Sequence, residues 1–268
     1  MYADDLLIMT ESFKKMEKVL KMFENFGMRT GIKFNPSKTQ IMRINGSKKD
    51  KTRLELCGEE IEYVEKIKYL GVWVDGNCCS KEHLREKRLC IWRAFSLLKQ
   101  NLDLYSNKMI PQLKSHLFKA YVRPITYYEL ENCVLSQCEK NKIQTMEGLM
   151  IKQMLGLDKR SRTNNLLYAL NIEPVCSKIK KIKLNFAARI IGNEYTEKIF
   201  RIKEDNVKSS SKFVQEIRET LCSNEIITQE KLLEKVSQIK DEDETNSRNG
   251  ICESLKFCLE NIEEEKSS

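Results

Sequence analysis

The sequence predicts an α+β fold, with a strand-rich first part around one helix and a helical remainder. Two observations lead to this prediction. Up to about residue 76, apolar residues follow a helical period and then short strand-like runs, and beyond residue 80 the helical period continues almost alone. Only four prolines interrupt the 268 residues. We expect three segments, 1–76, 77–203 and 204–268.

The first segment begins with an amphipathic helix over residues 11–30, which Gly27 and Gly31 are placed to close. Its apolar positions recur near a 3.6-residue period: Phe13, Met16, Leu20, Phe23 and Phe26. A turn signal, Asn35-Pro36-Ser37, follows. Branched and aromatic runs then predict antiparallel strands separated by turns at Asn45-Gly46 and Gly58-Glu59. These strands are predicted at residues 40–44, 54–57, 61–64 and 69–74.

Helices are predicted over residues 81–102, 110–121, 143–155 and 178–191. The apolar face of the first contains Leu84, Leu89, Trp92, Phe95 and Leu98. Trp92 is interpreted as a core residue rather than a base-stacking platform, and Pro124 predicts a helix break.

The last segment is predicted to begin after a linker at residues 207–212. Weaker amphipathic helices follow at 214–221, 228–239 and 251–262, joined by the acidic stretch 241–244. Few aromatic residues occur there, so we expect a loosely packed acidic tail.

The formal charge is unevenly distributed along the chain. Residues 204–268 hold 9 basic and 16 acidic side chains, whereas residues 1–203 hold 38 and 23, a formal charge of +15. The positive charge of residues 1–203 favours a partner with a phosphate backbone. A lysine-rich solvated surface explains the charge equally well.

Cysteine and hydropathy patterns exclude several classes of protein. The ten cysteines include no CxxC pair and only two histidines accompany them, so we expect reduced thiols and no zinc site. No window approaches the roughly 18 apolar residues of a membrane span. No signal peptide or other targeting signal is recognised, so we expect an intracellular chain, in nucleus or cytoplasm, without a membrane partner.

The motif Tyr2-Ala3-Asp4-Asp5, followed by apolar Leu6-Leu7-Ile8, is the sharpest chemical signal. Two adjacent carboxylates at a turn offer the oxygen ligands that Mg²⁺ prefers. Two such ions stabilise the attacking and leaving oxygens of a phosphoryl displacement. The alternative interpretation is a solvated surface turn.

Further motifs follow in a fixed order: Gly31 to Thr39, Lys68 to Asp75, Tyr121 to Tyr128, Met154 to Leu157 and Asn171 to Pro174. Together with the acidic turn, this order resembles the LINE-type (non-LTR retrotransposon) reverse transcriptases over about residues 1–190. The resemblance implies part of a polymerase palm, with antiparallel strands and one helix. A helical thumb and a further helical region, which His83 and the lysine-rich helix after it introduce, would follow the palm.

The resemblance also implies roles for individual residues. Asp4 would be the direct Mg²⁺ ligand with Asp5 as its partner, and Tyr2 would pack beside the primer end. Lys38 matches the lysine to which protonation of departing pyrophosphate is attributed, and a solvated turn lysine is the alternative. Primer-grip roles fall on Tyr69, Leu70 and Gly71, for which an ordinary buried strand is the alternative. Duplex phosphates would be contacted by Arg85, Lys87, Arg88 and Arg93, unless these side chains are simply solvated.

The implied activity is RNA-directed DNA polymerisation, a nucleotidyl transfer, with an RNA template, a DNA primer or their hybrid duplex as partners and no small-molecule cofactor. The motif begins at the second residue, so we expect the fingers and a further metal aspartate to be missing and the chain to be inactive alone. A non-catalytic nucleic-acid-binding module is the alternative function, and a truncated reading of an active enzyme is a third possibility.

Overall fold

The fold was analysed in a computed structural model, which describes residues 5–45, 53–76, 81–104, 106, 108–205, 211–222 and 226–246. These residues form helices together with small two-stranded sheets, which confirms the α+β class. The chain divides into two compact units between Glu86 and Lys87. The three predicted segments remain a prediction. No helix in the described ranges is both long and apolar enough to cross a membrane.

The predicted first helix is confirmed as α1, Phe13–Thr30. Ser12 caps its start, because the side-chain oxygen accepts the Lys15 N–H at 3.4 Å. Gly31 ends it with φ +75°, a left-handed conformation that favours glycine. Gly27 does not close the helix but lies inside it. A Cβ there would lie 2.6 Å from the Ile32 carbonyl oxygen, so Gly27 lets the returning chain approach.

Six short strands lie in the described residues of the first unit. Their bounds are β1 Gln40–Ile41, β2 Glu55–Leu56, β3 Glu59–Glu60, β4 Glu62–Tyr63, β5 Lys66–Tyr69 and β6 Val72–Asp75. β2 pairs with β3, and β5 with β6, in antiparallel fashion. β1 pairs with β4 in parallel, so the expectation of antiparallel strands alone is wrong. A parallel pair requires a long connection, and here the β2–β3 hairpin lies within it.

One predicted turn and one predicted strand differ from the structure by a few residues. The β2–β3 turn is formed by Cys57 (φ +54°) and Gly58 (φ +82°) rather than by Gly58-Glu59. The run 69–74 is not one strand, because a turn at Leu70 and Gly71 divides it into β5 and β6. Gly46 of the predicted Asn45-Gly46 turn lies outside the described residues.

α1 and the strands of the first unit share a small core. Leu20 of α1 is buried with Leu54, Leu56 and Ile61. Partly buried side chains pack around them: Phe13, Met16, Phe34 and Ile41. The helical and strand periods predicted for this unit therefore converge on one apolar cluster.

The remainder of the described chain is helical, as predicted. The bounds are α2 Lys81–Leu102, α3 Pro111–Leu117, α4 Arg123–Tyr127, α5 Gln137–Leu155, α6 Asn164–Ala169, α7 Val175–Ile191, α8 Glu194–Asp205, α9 Lys212–Leu221 and α10, residues 229–246. α5 begins six residues before the predicted start, because Ser136 and Glu139 form a capping box.

Pro124 does not break the helix, contrary to the prediction. Residues Phe118–Val122 form a π-helical turn that connects α3 to α4, and Pro124 lies in the first turn of α4. A proline lacks the N–H donor and its ring clashes with the preceding turn. A widened turn at this point accommodates both effects, and the chain leaves the helix only at Tyr128.

The buried face of α2 differs from the prediction at one position. Leu84, Ile91, Phe95 and Leu98 are buried, whereas Leu89 is 44% exposed. Ile91, which the sequence pattern did not select, takes its place. Trp92 packs edge-on against Phe95, with ring centroids 6.0 Å apart, which is the core role predicted for it.

The helices after residue 204 pack more tightly than their composition suggests. Apolar residues of α9 and α10 are buried with α7 and α8 in one cluster, including Val214, Ile217, Leu232 and Val236. The stretch 241–244 lies within α10 rather than between helices, and Asp243 pairs with Lys181 at 2.8 Å. Residues 206–210, which hold most of the predicted linker, and the predicted helix 251–262 lie outside the described residues.

A buried ion pair joins α4 to α5 in the second unit. The Arg123 guanidinium donates to both carboxylate oxygens of Glu147, each at 3.3 Å. It also donates to the Tyr127 hydroxyl at 3.0 Å and to the Glu173 carbonyl oxygen at 2.6 Å. Burial raises the pKa of Glu147, while Arg123 and its hydrogen bonds oppose this shift. The planar guanidinium thus organises three segments of chain.

Replacing Glu147 with glutamine is expected to lower the free energy of unfolding by about 3–5 kcal/mol, since Arg123 is left buried without its carboxylate. Urea denaturation followed by circular dichroism measures the change. Glu194→Gln, which breaks the exposed pair with Lys198, is the control and is expected to leave stability nearly unchanged. Equal small losses in both variants would contradict the structural role of the buried pair.

Candidate functional site

The acidic turn is described only in part. Tyr2, Ala3 and Asp4 lie outside the described residues, whereas Asp5 is exposed and takes part in a β-bridge. The described ranges contain no group of three or more His, Cys, Asp or Glu residues placed to hold a metal ion. Of the two aspartates predicted to bind magnesium, Asp5 is the one that the structure describes. The described residues alone do not form a complete metal site.

Lys38 lies exposed at the end of a 3₁₀ turn, Pro36–Lys38. Asn35 organises this turn. Its backbone oxygen accepts the Thr39 hydroxyl at 2.8 Å, and its side-chain oxygen accepts the Ser37 hydroxyl at 2.7 Å. The turn therefore fixes the backbone of Lys38 while its ammonium faces solvent, which suits both a catalytic and a solvated lysine.

The three predicted primer-grip residues meet at the tip of the β5–β6 hairpin. Tyr69 ends β5 and pairs with Val72, while Leu70 (φ +48°) and Gly71 (φ +88°) form the two-residue turn. Both turn residues are left-handed, as a type I′ turn requires, and asparagine followed by glycine is preferred there. Leu70 is 36% exposed, so a strained leucine is presented at an exposed tip.

The same hairpin presents cations that the sequence reasoning missed. Lys66 and Lys68 lie two positions apart on β5, so their side chains leave the same face of the strand. Their Nζ atoms lie 5.0 Å and 6.0 Å from the centroid of the Trp73 ring. The i, i+2 spacing of the two lysines within a strand is the signal that could have found them.

The start of α2 is tied to this hairpin within the first unit. The Trp73 N–H donates to Nδ1 of buried His83 at 3.4 Å. Glu82 pairs with Arg85 at 3.0 Å and with Lys66 at 2.6 Å. Hydrogen bonds from Arg85 and Lys66 lower the pKa of Glu82 to about 2. The ionised carboxylate offsets part of the charge of both Arg85 and Lys66, which weakens both as phosphate ligands.

Lys87 differs from the other cations predicted on α2. It is buried, its ammonium donates to the Tyr128 carbonyl oxygen, and burial lowers its pKa. A lysine held in this way supports the α4 end rather than facing a phosphate in this structure. Arg88 and Arg93, by contrast, are exposed on the same helix.

Comparison with known families connects the acidic turn to the hairpin. Residues 1–74 match the model of the reverse transcriptase (RNA-dependent DNA polymerase) family. This segment is similar to a reverse transcriptase. Searches of the curated proteins and of the solved structures find no match to the chain. The reverse-transcriptase-like segment includes Asp4, Asp5 and Lys38, and it ends within β6, so it also contains Leu70 and Gly71. The family acts on nucleic acids and generally uses a divalent metal ion.

Leu70→Asn tests whether the leucine at the tip of the β5–β6 hairpin contacts nucleic acid or instead stabilises the fold. Asparagine tolerates the left-handed conformation, so the free energy of unfolding is expected to rise by about 1 kcal/mol. Binding of an RNA–DNA hybrid is expected to weaken, because the exposed apolar tip is lost. Urea denaturation and fluorescence anisotropy measure the two effects.

Gly71→Ala is the matched control, expected to lower stability because φ +88° strains any residue with a Cβ. Unchanged binding by Leu70→Asn would show that the leucine makes no contact with nucleic acid.

Proposed function

We propose that this chain is part of a non-LTR, LINE-type RNA-directed DNA polymerase, comprising the second half of the palm and a helical thumb. The observation that supports it most is the family match over residues 1–74, which begins at the acidic turn and ends in the β5–β6 hairpin. The motifs after residue 120 follow in the order seen in the LINE-type enzymes. The reaction class is nucleotidyl transfer to a DNA primer on an RNA template.

The acidic turn is the proposed metal end of this site. Asp4 and Asp5 would hold Mg²⁺, whose chemistry is charge stabilisation at the phosphoryl group being transferred. By the same resemblance, Ala3 would keep the turn small, and Tyr2 would pack beside the primer end. Exposed Lys38 would remain available to a departing phosphate.

The hairpin is the proposed primer-holding end of the site. The Leu70-Gly71 tip is exposed, and Lys66 and Lys68 flank the Trp73 ring on one face of the hairpin. Because Glu82 offsets the charge of Lys66, Lys68 and the exposed apolar tip are the groups proposed to contact a sugar-phosphate strand, where cations fix position without reading sequence. Within the second unit, exposed Arg88 and Arg93 of α2 are separate candidates for phosphate contact, and buried Lys87 is not.

We expect no primer extension by the 268-residue chain alone on a primed RNA template with Mg²⁺ or Mn²⁺. The acidic turn contributes two adjacent carboxylates, which are fewer oxygen ligands than two octahedral Mg²⁺ ions require. Mn²⁺ binding followed by electron paramagnetic resonance gives a readout independent of activity. Weak binding by the wild-type chain that is lost in Asp4→Asn/Asp5→Asn supports the metal assignment, whereas equal binding by both would refute it.

Clear cDNA synthesis by the chain alone would contradict the proposed inactivity while supporting polymerase function. Lys38→Gln, an exposed neutralisation, is the control for the metal measurement, since it removes charge from the same unit without removing a carboxylate. Its Mn²⁺ binding is expected to match that of the wild-type chain.

A non-catalytic nucleic-acid-binding module is the second candidate function, and the formal charge of +15 over residues 1–203 favours it. Arg88→Gln/Arg93→Gln is expected to weaken hybrid-duplex binding and to lower the slope of log affinity against log salt by about 2. Lys87→Met removes a cation from the same helix and is expected to leave the slope unchanged, because Lys87 is buried. Binding that is insensitive to salt would exclude the module.

A further inference from the structure

A second cationic surface lies in the loop between α5 and α6. Lys159, Arg160 and Arg162 are all exposed within four consecutive positions. None of the three forms an ion pair with a carboxylate in the part of the chain that the structure describes. Other cations of the second unit do form such pairs. Lys140 pairs with Glu216 at 2.9 Å, and Arg201 pairs with Glu204 at 2.7 Å.

The acidic residue of this loop, Asp158, bonds to the loop backbone, and in the described part of the chain it forms no ion pair with the three cations. Oδ1 of Asp158 accepts the backbone N–H of Arg160 at 2.7 Å, and the Asp158 carbonyl oxygen accepts the Ser161 N–H at 3.1 Å. An aspartate that bonds to the backbone two residues ahead stabilises a turn. The carboxylate therefore shapes the loop backbone, and the side chains of Arg160 and Arg162 keep their charge available.

Both ends of the loop are anchored to the second unit. Gly156 ends α5 with φ +68°, and Leu157 donates its N–H to the Lys152 carbonyl oxygen at 2.9 Å. At the other end, the Thr163 methyl group lies 3.6 Å from the position that a Cβ on Gly148 would occupy. Leu155 before the loop and Leu166 after it pack against the main core cluster. The backbone that presents the cations is thus held before any ligand arrives, which lowers the entropy cost of binding.

A fourth cation is drawn to the same loop. The Lys152 ammonium donates to the Lys159 carbonyl oxygen at 2.7 Å, so a side chain of α5 places its charge at the loop backbone. An ammonium has three donors, and this bond uses one of them. Lys152 can therefore stabilise the loop and still contact an anion.

We propose that Lys152, Lys159, Arg160 and Arg162 form a phosphodiester-binding site for a nucleic-acid backbone, separate from the cations of α2. A single exposed ion pair stabilises binding little. Several cations acting on one polyanion add their effects through counterion release, so an open cationic loop fits a chain of phosphates better than one free phosphate. Guanidinium groups also bind phosphate oxygens in a bidentate manner. The inference rests on the proposed function, which supplies nucleic acid as the partner.

The test is fluorescence anisotropy of the full chain with a labelled single-stranded RNA and with an RNA–DNA hybrid, between about 50 and 200 mM salt. Lys159→Gln/Arg160→Gln/Arg162→Gln is expected to weaken binding of both probes by at least about tenfold at low salt. The slope of log affinity against log salt should fall by about 2 for the single strand and about 3 for the hybrid. Asp158 is retained, and circular dichroism confirms that the variant remains folded.

The matched control is Arg189→Gln/Lys198→Gln/Lys240→Gln, which removes the same charge from exposed positions on α7, α8 and α10. It is expected to change the slope little. If the control reduces affinity as much as the loop variant, or if the loop variant binds like the wild-type chain, this inference fails while the proposed function stands. If the wild-type chain binds neither probe, both fail. A further variant, Arg160→Lys/Arg162→Lys, keeps the charge and should retain the salt slope.

Discussion

The helices of the second unit depend on the buried pair of Arg123 and Glu147. The guanidinium bonds to α5 through Glu147 and to the chain before α7 through the Glu173 carbonyl oxygen. Lys181 of α7 then binds the Glu173 carboxylate at 2.6 Å and Asp243 of α10 at 2.8 Å. A buried charge is tolerated only when its partners are in place, so the positions of α4, α5, α7 and α10 are linked. The π-turn before Arg123 belongs to the same arrangement, because it lets Pro124 follow within the helix.

The candidate site in the first unit has a different basis. It uses exposed and strained groups on a small core: Asp5 in a β-bridge, and Leu70 in a left-handed turn. The core formed around Leu20, Leu54, Leu56 and Ile61 is small, and the strands that the structure describes beside it form two-stranded sheets. The strained Leu70-Gly71 turn lowers the stability of this small unit. Such strain is typical of sites where a side chain contacts a ligand.

The basic side chains of this chain are of two kinds, buried and exposed, and the sequence alone did not distinguish them. Lys87, Lys114 and Lys183 are buried and bond to oxygen atoms of the fold, including the Tyr128 and Met154 carbonyl oxygens. Arg93, Lys159, Arg160 and Arg162 remain exposed. In sequence both sets are simply basic residues on or beside helices. Only the packing shows which of them stabilise the structure and which leave an electrostatic field for a partner.

The sequence by itself determined the α+β class, the positions of α1 and α2, and the segment that resembles a reverse transcriptase, because periodicity and short motifs are local properties. The tertiary structure decided what depends on distant contacts. It paired β1 with β4 in parallel, and it packed α9 and α10 against α7 and α8. Lys87 was placed in the interior for the same reason. Its hydrogen-bond acceptor is the Tyr128 carbonyl oxygen, 41 residues away, and no local pattern specifies a partner at that separation.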